Sequence, residues 1–422
     1  MKKGFTQDRE TFVGLDVGTT KICCIIAQSD YKKNDMKLLG AGVVESNGLK
    51  KGTVVNINAT IQAIEDAVNK AEKKANMKVS EAFVGLSGEH IRGLNTQGAI
   101  AIRNGHPMAF EEEIKKTDVE RVLEMARAVS LPIDREILHI LPQEFVVDTQ
   151  SGIKNPVDMV GRRLEAKVHL ITCATSAAKN LTKCVEEAGL IVQGFVYQPL
   201  ASAEAVLEQH EKDLGVVLVD IGGGTTDICV FFEGEIRHSA VLAIGGDSIS
   251  NDIAMMTQIS LEDAEQIKVK YGSAKASMAS DDLEFELPCK ADEPPKNANE
   301  HEISKYVEAR MKEIFQMVQR EIERADIPNR VSFGVVLTGG GALLKNCAIL
   351  GEEILEAQVK IGIPKGGLSG VLDVASSPIY ATAIGLVQHP SIFKNEFDIA
   401  NKKSGIGVQL VKNIGGWLRD FF

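Results

Sequence analysis

"VGLDVGTTKICCII", Val13 to Ile26, and "VLVDIGGGTTDICVFF", Val217 to Phe232, follow one pattern. Each runs apolar, then Asp, one apolar residue, a Gly-rich turn, Thr-Thr, one polar residue, Ile-Cys and a second apolar run. β-rich apolar arms around a Gly/Thr turn predict a β-hairpin in each case, buried in a central sheet. An Asp at the end of such a strand is costly to bury alone, and hydrated Mg²⁺ is a suitable partner for it. Glycines let backbone N–H groups approach phosphate oxygens, and Thr hydroxyls add donors. A lone DxGTT is ordinarily only a tight turn. Three successive glycines in "DIGGGTTD" weaken a buried strand pair unless a ligand uses them. Two such hairpins in one chain imply two similar domains gripping a triphosphate and its Mg²⁺ from opposite sides of a cleft.

Size and charge narrow the classes. The 422 residues exceed what one core of ~250–300 residues accommodates, so two or more domains are expected. A net charge of −11 argues against a phosphate-backbone binder, and 5% aromatics against a base-stacking surface, so no nucleic-acid partner is expected. Seven cysteines (23, 24, 173, 184, 229, 289 and 347) contain no CxxC pair. They read as small apolar side chains of a reduced cytosolic protein. The eight histidines form no HExxH or Cys/His pattern, so a transition-metal site is not expected. The start, MKKGFTQDRE, has no apolar signal core, and no run of about 18 apolar residues occurs. The expectation is a protein neither secreted nor membrane-spanning.

A third glycine cluster, "VVLTGGGALL", Val335 to Leu344, reads as strand, turn and helix start, where a flat ring or phosphate can lie against the backbone. With it the residues resemble a family. DVGTTK (Asp16–Lys21), DIGGGTTD (Asp220–Asp227) and TGGGA (Thr338–Ala342) are similar to the two phosphate motifs and the adenosine motif of the actin/Hsp70/sugar-kinase superfamily. "QPLASAEAV" (Gln198–Val206) and "SPIYATAIGLV" (Ser377–Val387) resemble its two connector helices, and "AEQIKVKYG" (Ala264–Gly272) its ribose-contacting helix. Six segments in the right order span nearly the whole chain. "EAFVGLSGEHIRGLNTQGAIAI" through "PQEFVVDTQSGIKNPVDMVGRRLEAKVHLITC" resembles the SHS2 module of the bacterial FtsA cell-division family, with Asp158 where that pattern has Gly.

The chain's end points the same way. On a helical wheel at about 100° per residue, "GIGVQLVKNIGGWLRDFF" gathers Ile406, Leu410, Val411, Ile414, Trp417, Leu418, Phe421 and Phe422 on one arc. An amphipathic helix ordinarily packs on its own core. Here it follows a polar tether, "FKNEFDIANKKSG", and carries the single Trp on a wide apolar face, which suits a bilayer interface. FtsA-family proteins end in such a helix.

The resemblance implies an α/β, actin-like (RNase H-like) two-domain ATPase fold with four subdomains and a C-terminal amphipathic helix. The expected limits are 10–83, 165–196 and 376–392 for subdomain 1A, and 84–164 for the SHS2-like 1C. Subdomain 2A takes 197–245 and 331–375, 2B takes 246–330, a linker 393–404 and the membrane helix 405–422. "LEFEL" within 2B reads as an exposed strand.

The resemblance also assigns a site. Asp16 and Asp220 are to hold Mg²⁺ through water. Gly18, Thr19 and Thr20 face the phosphates of ATP, opposite Gly222, Gly223, Gly224, Thr225 and Thr226. Lys21 neutralises a phosphate or forms a surface ion pair. Glu265 and Lys268 reach ribose and base edge, and Gly339, Gly340, Gly341 and Ala342 line the adenosine. Gln198 orients a water, but an amide is a poor general base, so at most slow Mg-dependent ATP hydrolysis is expected. Implied partners are the C-terminal tail of FtsZ, with Arg310 as a contact, further copies in a protofilament, a lipid bilayer surface and other cell-division proteins. The implied place is the cytoplasmic face of the inner membrane at the division site. A PilM-like pilus-assembly protein shares the SHS2-like insertion but normally lacks the terminal helix. A sugar kinase would need an Asp base and a polar sugar pocket, neither of them evident. An Hsp70 would require a peptide-binding domain after the ATPase, and none is expected here.

Overall fold

Arg9–Val17 pairs antiparallel with Lys21–Asp30, and Val216–Ile221 with Thr226–Phe232, so both quoted stretches are hairpins. The computed structural model describes residues 9–30, 35–102, 112–288, 296–327, 332–365, 368–371 and 376–388. Each hairpin is the centre of a sheet of one plan. Its second strand pairs antiparallel with a third, Asp35–Glu45 in the first sheet and Glu235–Leu242 in the second. On the other side its first strand pairs with a parallel strand, and that strand with a second parallel one at the edge. These are Glu81–Leu86 and Ile191–Tyr197 in the first sheet, Val335–Thr338 and Val359–Ile361 in the second. Leu368–Gly370 extends the first sheet at its antiparallel edge.

Burial on both faces explains the unbroken apolar runs. Ile22 through Ala27 are each 0% exposed, and Val216 to Val219 likewise. The six described cysteines are free and buried, and burial pushes the Cys23 thiol up to about 12. They serve as small core residues; Cys289 lies outside the described residues.

Two connector helices, Gln198–Val206 and Ala381–Gln388, join the domains and cross in close contact. A Cβ on Gly385 would overlap the carbonyl oxygen of Ala201, so only glycine permits this approach.

Between Leu86 and Thr175 the chain builds a separate module. Its sheet has the order Gln150–Ile153, Arg135–Val147, Arg163–Ala174, Arg92–Ala101, with helix Lys116–Arg127 against it. The helix contributes Val119, Val122 and Leu123 to a core shared with Leu164, Val168 and Leu170. The expected limits, 84 and 164, therefore cut through strands. Glu81–Leu86 belongs whole to the first domain's sheet, and Arg163–Ala174 whole to the insertion's. Asp158 has φ +65°, a left-handed conformation in which Gly is at home and Asp is tolerated.

The second domain carries helices Gly246–Thr257, Leu261–Tyr271 and Glu300–Arg324, with a short hairpin of Glu284–Leu287 and Lys296–Asn299. The expected strand at "LEFEL" is half of that hairpin. Among the described residues no helix is long and apolar enough to cross a membrane. The linker 393–404 and the apolar arc from Ile406 to Phe422 lie outside the described residues.

Candidate functional site

The two hairpin turns meet across a cleft of about 370 Å³. Asp16, Gly18, Thr19, Thr20, Lys21 and Gln198 line it from the first domain. Asp220, Gly222 to Thr225, Asp227, Glu265, Lys268 and Gly339 to Gly341 line it from the second.

The turns have equal length. Gly18 N–H donates to Lys21 O and Gly222 N–H to Thr225 O, each at 2.9 Å. Val17 pairs with Ile22, and Ile221 with Thr226. Counted outward from these turns, Thr19 and Thr20 correspond to Gly223 and Gly224, and Cys23 to Asp227. The matching Thr-Thr and Ile-Cys pairs of the sequence are thus displaced by two residues in space. This corrects one assignment. Thr226 occupies the place of Ile22, is fully buried, and donates to Ile244 O at 2.8 Å instead of facing the cleft. Ala342 is a second correction: it is buried in the second domain's core, one residue beyond the glycines that line the cleft.

Large faces small where the jaws touch. A Cβ on Gly223 would overlap Thr20 Cγ2, and one on Gly224 would lie 2.6 Å from Thr19 Oγ1. Gly339, at φ +81°, likewise clears Asp220 Oδ1. The glycines are there for room as well as for N–H access.

The two aspartates have unlike surroundings. Asp16 is paired with Lys21 Nζ at 2.7 Å and accepts from Gln198 Nε2 at 3.0 Å. Burial works against the Lys21 ammonium, but Asp16, helped by Cys23 and Asp220, holds its pKa above the usual lysine value. Of the two roles expected for Lys21, the structure shows an ion pair, made inside the cleft. Among the described residues Asp220 bonds only hydroxyls, accepting from Ser202 Oγ at 2.8 Å and Thr382 Oγ1 at 3.5 Å. Burial raises its pKa, and the charge of Asp16 adds to the rise. Two carboxylates line one cleft and the Lys21 ammonium bonds only Asp16 among the described residues, which leaves negative charge for a further cation. A divalent ion with oxygen ligands fits this donor set.

Lys268 Nζ donates to Glu265 Oε2 (2.6 Å), Ser250 Oγ (3.0 Å) and Gly246 O (3.1 Å), leaving Glu265 Oε1 for a hydroxyl. Val269, Leu343 and Leu344 give the cleft an apolar end suited to a flat ring. Gln198 spends its amide N–H on Asp16 and, at 3.5 Å, on Val17 O, so only its Oε1 could orient a water.

Sequence reasoning passed over several residues. Asp227 is buried, lines the cleft, and accepts from Ser87 Oγ and from Thr225 Oγ1 at 3.0 Å. Burial pushes its carboxyl up to about 7, Asp220 adding to the rise. The quoted "DIGGGTTD" contained it, and only strand register separates it from a turn residue. Ser87, Ser202 and Thr382 reach the site from distant segments and carry no local signal. Arg310 proves to be engaged already. It grips Asp252 with Nε at 2.7 Å and Nη2 at 2.8 Å, and also bonds Glu313. An acidic tail would have to displace Asp252, which counts against Arg310 as a free contact.

Comparisons agree with this architecture. A family model described as "SHS2 domain inserted in FTSA" matches residues 88–172, and one described as "Cell division protein FtsA" matches 217–385. The chain is 42% identical over 383 residues to the cell division protein FtsA of Pseudomonas aeruginosa, covering 91% of this chain and 90% of that one. The chain belongs to the FtsA family. The FtsA of Neisseria meningitidis is 37% identical over 97% of this chain and 98% of its own, and that of Escherichia coli 34% over 98% and 99%. Solved structures support the actin-like fold. The PilM-PilN type IV pilus biogenesis complex gives a TM-score of 0.65 at 18% identity, covering 89% of this chain and 97% of that one. MreB5 of Spiroplasma citri bound to ADP gives 0.54 at 16%, covering 92% and 98%. At such identities the likeness extends to fold, so the FtsA relationship decides against the PilM alternative.

Proposed function

We propose that this FtsA-family protein binds Mg-ATP between its two hairpins and works in cell division as an actin-like filament former. In this reading it tethers FtsZ to the inner face of the cytoplasmic membrane and gathers other division proteins there. One observation carries the nucleotide part: Asp16 and Asp220 line a single cleft whose facing turns offer glycine backbone and threonine hydroxyls. Bound magnesium would supply the positive charge the two carboxylates lack. Gly18 to Thr20 and Gly222 to Thr225 would cradle phosphates, Glu265 the ribose, and Val269 with Leu343 the base.

Hydrolysis is expected to be slow, because Gln198 has no strong base at its amide. Single-turnover rates of ~1–100 s⁻¹, ordinary for kinases, would contradict this. The primary test is calorimetric titration of the full-length protein with Mg-ATP. Saturable binding, lost in Asp220→Asn, is expected; no heat with native protein refutes the site. The membrane part rests on the apolar arc Ile406 to Phe422. Apolar burial at about 25 cal/mol per Å² should hold one helix reversibly and a filament of many tightly. Liposome co-sedimentation of native protein against Trp417→Glu tests it, and equal pelleting removes the assignment. Titration with an FtsZ tail peptide tests the partner, Arg310→Ala deciding whether that guanidinium takes part.

A further inference from the structure

The insertion between Leu86 and Thr175 hangs from the first domain yet touches the second, and a row of side-chain hydrogen bonds marks the contact. His169 Nε2 meets Ser239 Oγ at 2.7 Å, while its Nδ1 meets Asn95 Oδ1 at 2.6 Å. An amide oxygen only accepts, so Nδ1 carries the proton and Ser239 donates to Nε2. Asn95 Nδ2 donates to Arg237 O at 3.1 Å, and Gln143 Nε2 to Ile236 O at 2.7 Å. Lys154 Nζ donates to Glu233 O at 2.7 Å. Glycine keeps the seam close, since a Cβ on Gly93 would overlap Ser239 Oγ. All these second-domain partners lie on or beside strand Glu235–Leu242, whose Val241 pairs with Asp227 of the cleft.

Two more links join the insertion to the cleft. Ser87, the residue that opens the insertion, donates to Asp227. His139, on the insertion's long strand, accepts the backbone N–H of Tyr197 at 2.9 Å. Tyr197 precedes Gln198, which holds Asp16. The insertion is therefore fastened to both carboxylate-bearing sides of the cleft as well as to the strand behind one of them.

We infer that the insertion is a nucleotide-linked strap: it docks on strand Glu235–Leu242 when the jaws close on nucleotide, with Ser87 as the positioning residue between the two. This rests on the nucleotide reading of the cleft. Leu138 and Ile171 of the insertion share one apolar cluster with Phe231 and Ile236 of the second domain, so the seam's hydrogen bonds lie beside a common core, and a domain contact of this mixed kind can still open and close. Linkage is reciprocal, so whatever pulls the insertion from the seam must loosen the nucleotide by the factor with which nucleotide tightens the seam.

The test compares full-length native protein with Ser87→Ala, Ser87→Thr, Ser239→Ala and Lys154→Ala. Lys154 is exposed at the seam's edge, so its loss leaves folding intact even if a core variant fails. Mg-ATP affinity is read by calorimetry, and hydrogen exchange of 92–101 and 163–174 with and without Mg-ATP. Expected are slower seam exchange with nucleotide in the native protein and about 5- to 10-fold weaker binding in Ser239→Ala and Ser87→Ala, the low range of typical coupling. Lys154→Ala should show a smaller loss, and Ser87→Thr should restore native affinity. Normal nucleotide binding with unchanged seam exchange, and native affinity in the seam variants, overturns the strap alone. No binding by the native protein overturns the nucleotide reading and the strap with it.

Discussion

The two hairpins share a plan and differ in what surrounds their carboxylates. Asp16 is pinned by a lysine and an amide; Asp220 is held by hydroxyls, with no cation bonded to it among the described residues. The third strands differ as well. Asp35–Glu45 is covered by helix Ile57–Ala75, so closely that a Cβ on Gly42 would overlap Ala67 O. Glu235–Leu242 is met by the insertion through side-chain hydrogen bonds. If the insertion is a strap, one third strand is covered for good and the other only while the strap is docked. A duplicated architecture need not carry duplicated roles, because the sheet plan fixes where groups stand and their neighbours fix what those groups can do.

The largest effect is expected at the jaws. Gly223→Ala should abolish Mg-ATP binding at ~1 mM, an affinity near −4 kcal/mol, because its methyl overlaps Thr20. Thr20→Gly in the same chain should restore part of it, and a calorimetric double-mutant cycle measures that coupling. Failure of the rescue would show that the glycine serves its N–H alone.

A contrast in stability is expected next. Without nucleotide, Asp16→Asn should lower unfolding free energy by about 1–2 kcal/mol, because it leaves the Lys21 ammonium without its carboxylate. Asp220→Asn should stay within about 1 kcal/mol of native or rise, since burial already disfavours that charge. Urea melts of both variants decide it, and equal losses would erase the distinction between the two aspartates.

Acid should separate the permanent side from the exchanging one. Burial, with His238 nearby, lowers the docked His169 to about 3. Against ~6.5 for a free histidine, the seam is fully supported above pH 6.5 and loses support as pH falls from there towards 3. Hydrogen exchange of 92–101, corrected for intrinsic rate, should therefore quicken at pH 5 relative to pH 7.5. Exchange at Asp35–Glu45 should not.

The smallest effect concerns register. Thr226→Val should leave nucleotide affinity within about twofold and cost about 1 kcal/mol of stability through the bond to Ile244 O. Thr225→Val should weaken binding several-fold, because Thr225 lines the cleft and donates to Asp227.

Much of this was legible in the residues. Buried apolar runs with an Asp and a Gly-rich turn name the hairpins, and their repetition names the two domains, because burial on both faces leaves no polar alternation to confuse the reading. Register was not legible. Equal turns displace the two Thr-Thr pairs by two residues, a shift that preserves the inward and outward alternation of a strand and so leaves no mark on the hydrophobic pattern. The insertion's limits were blurred for a similar reason: Arg163–Ala174 runs from the insertion's sheet straight into the helix that follows. Ser87, Ser202 and Thr382 gain meaning only when distant segments converge, which no local spacing encodes.

The crossing of the connector helices at Gly385 has a mechanical corollary. Backbone lies on backbone there, with no side chain between, a contact about which two halves would turn more readily than they would slide. Ser202 and Thr382, the hydroxyls that hold Asp220, stand within a turn of this fulcrum. A small rotation would barely disturb them while sweeping the outer lobes through a much longer arc, as the handles of a pair of shears travel farther than the metal beside the rivet.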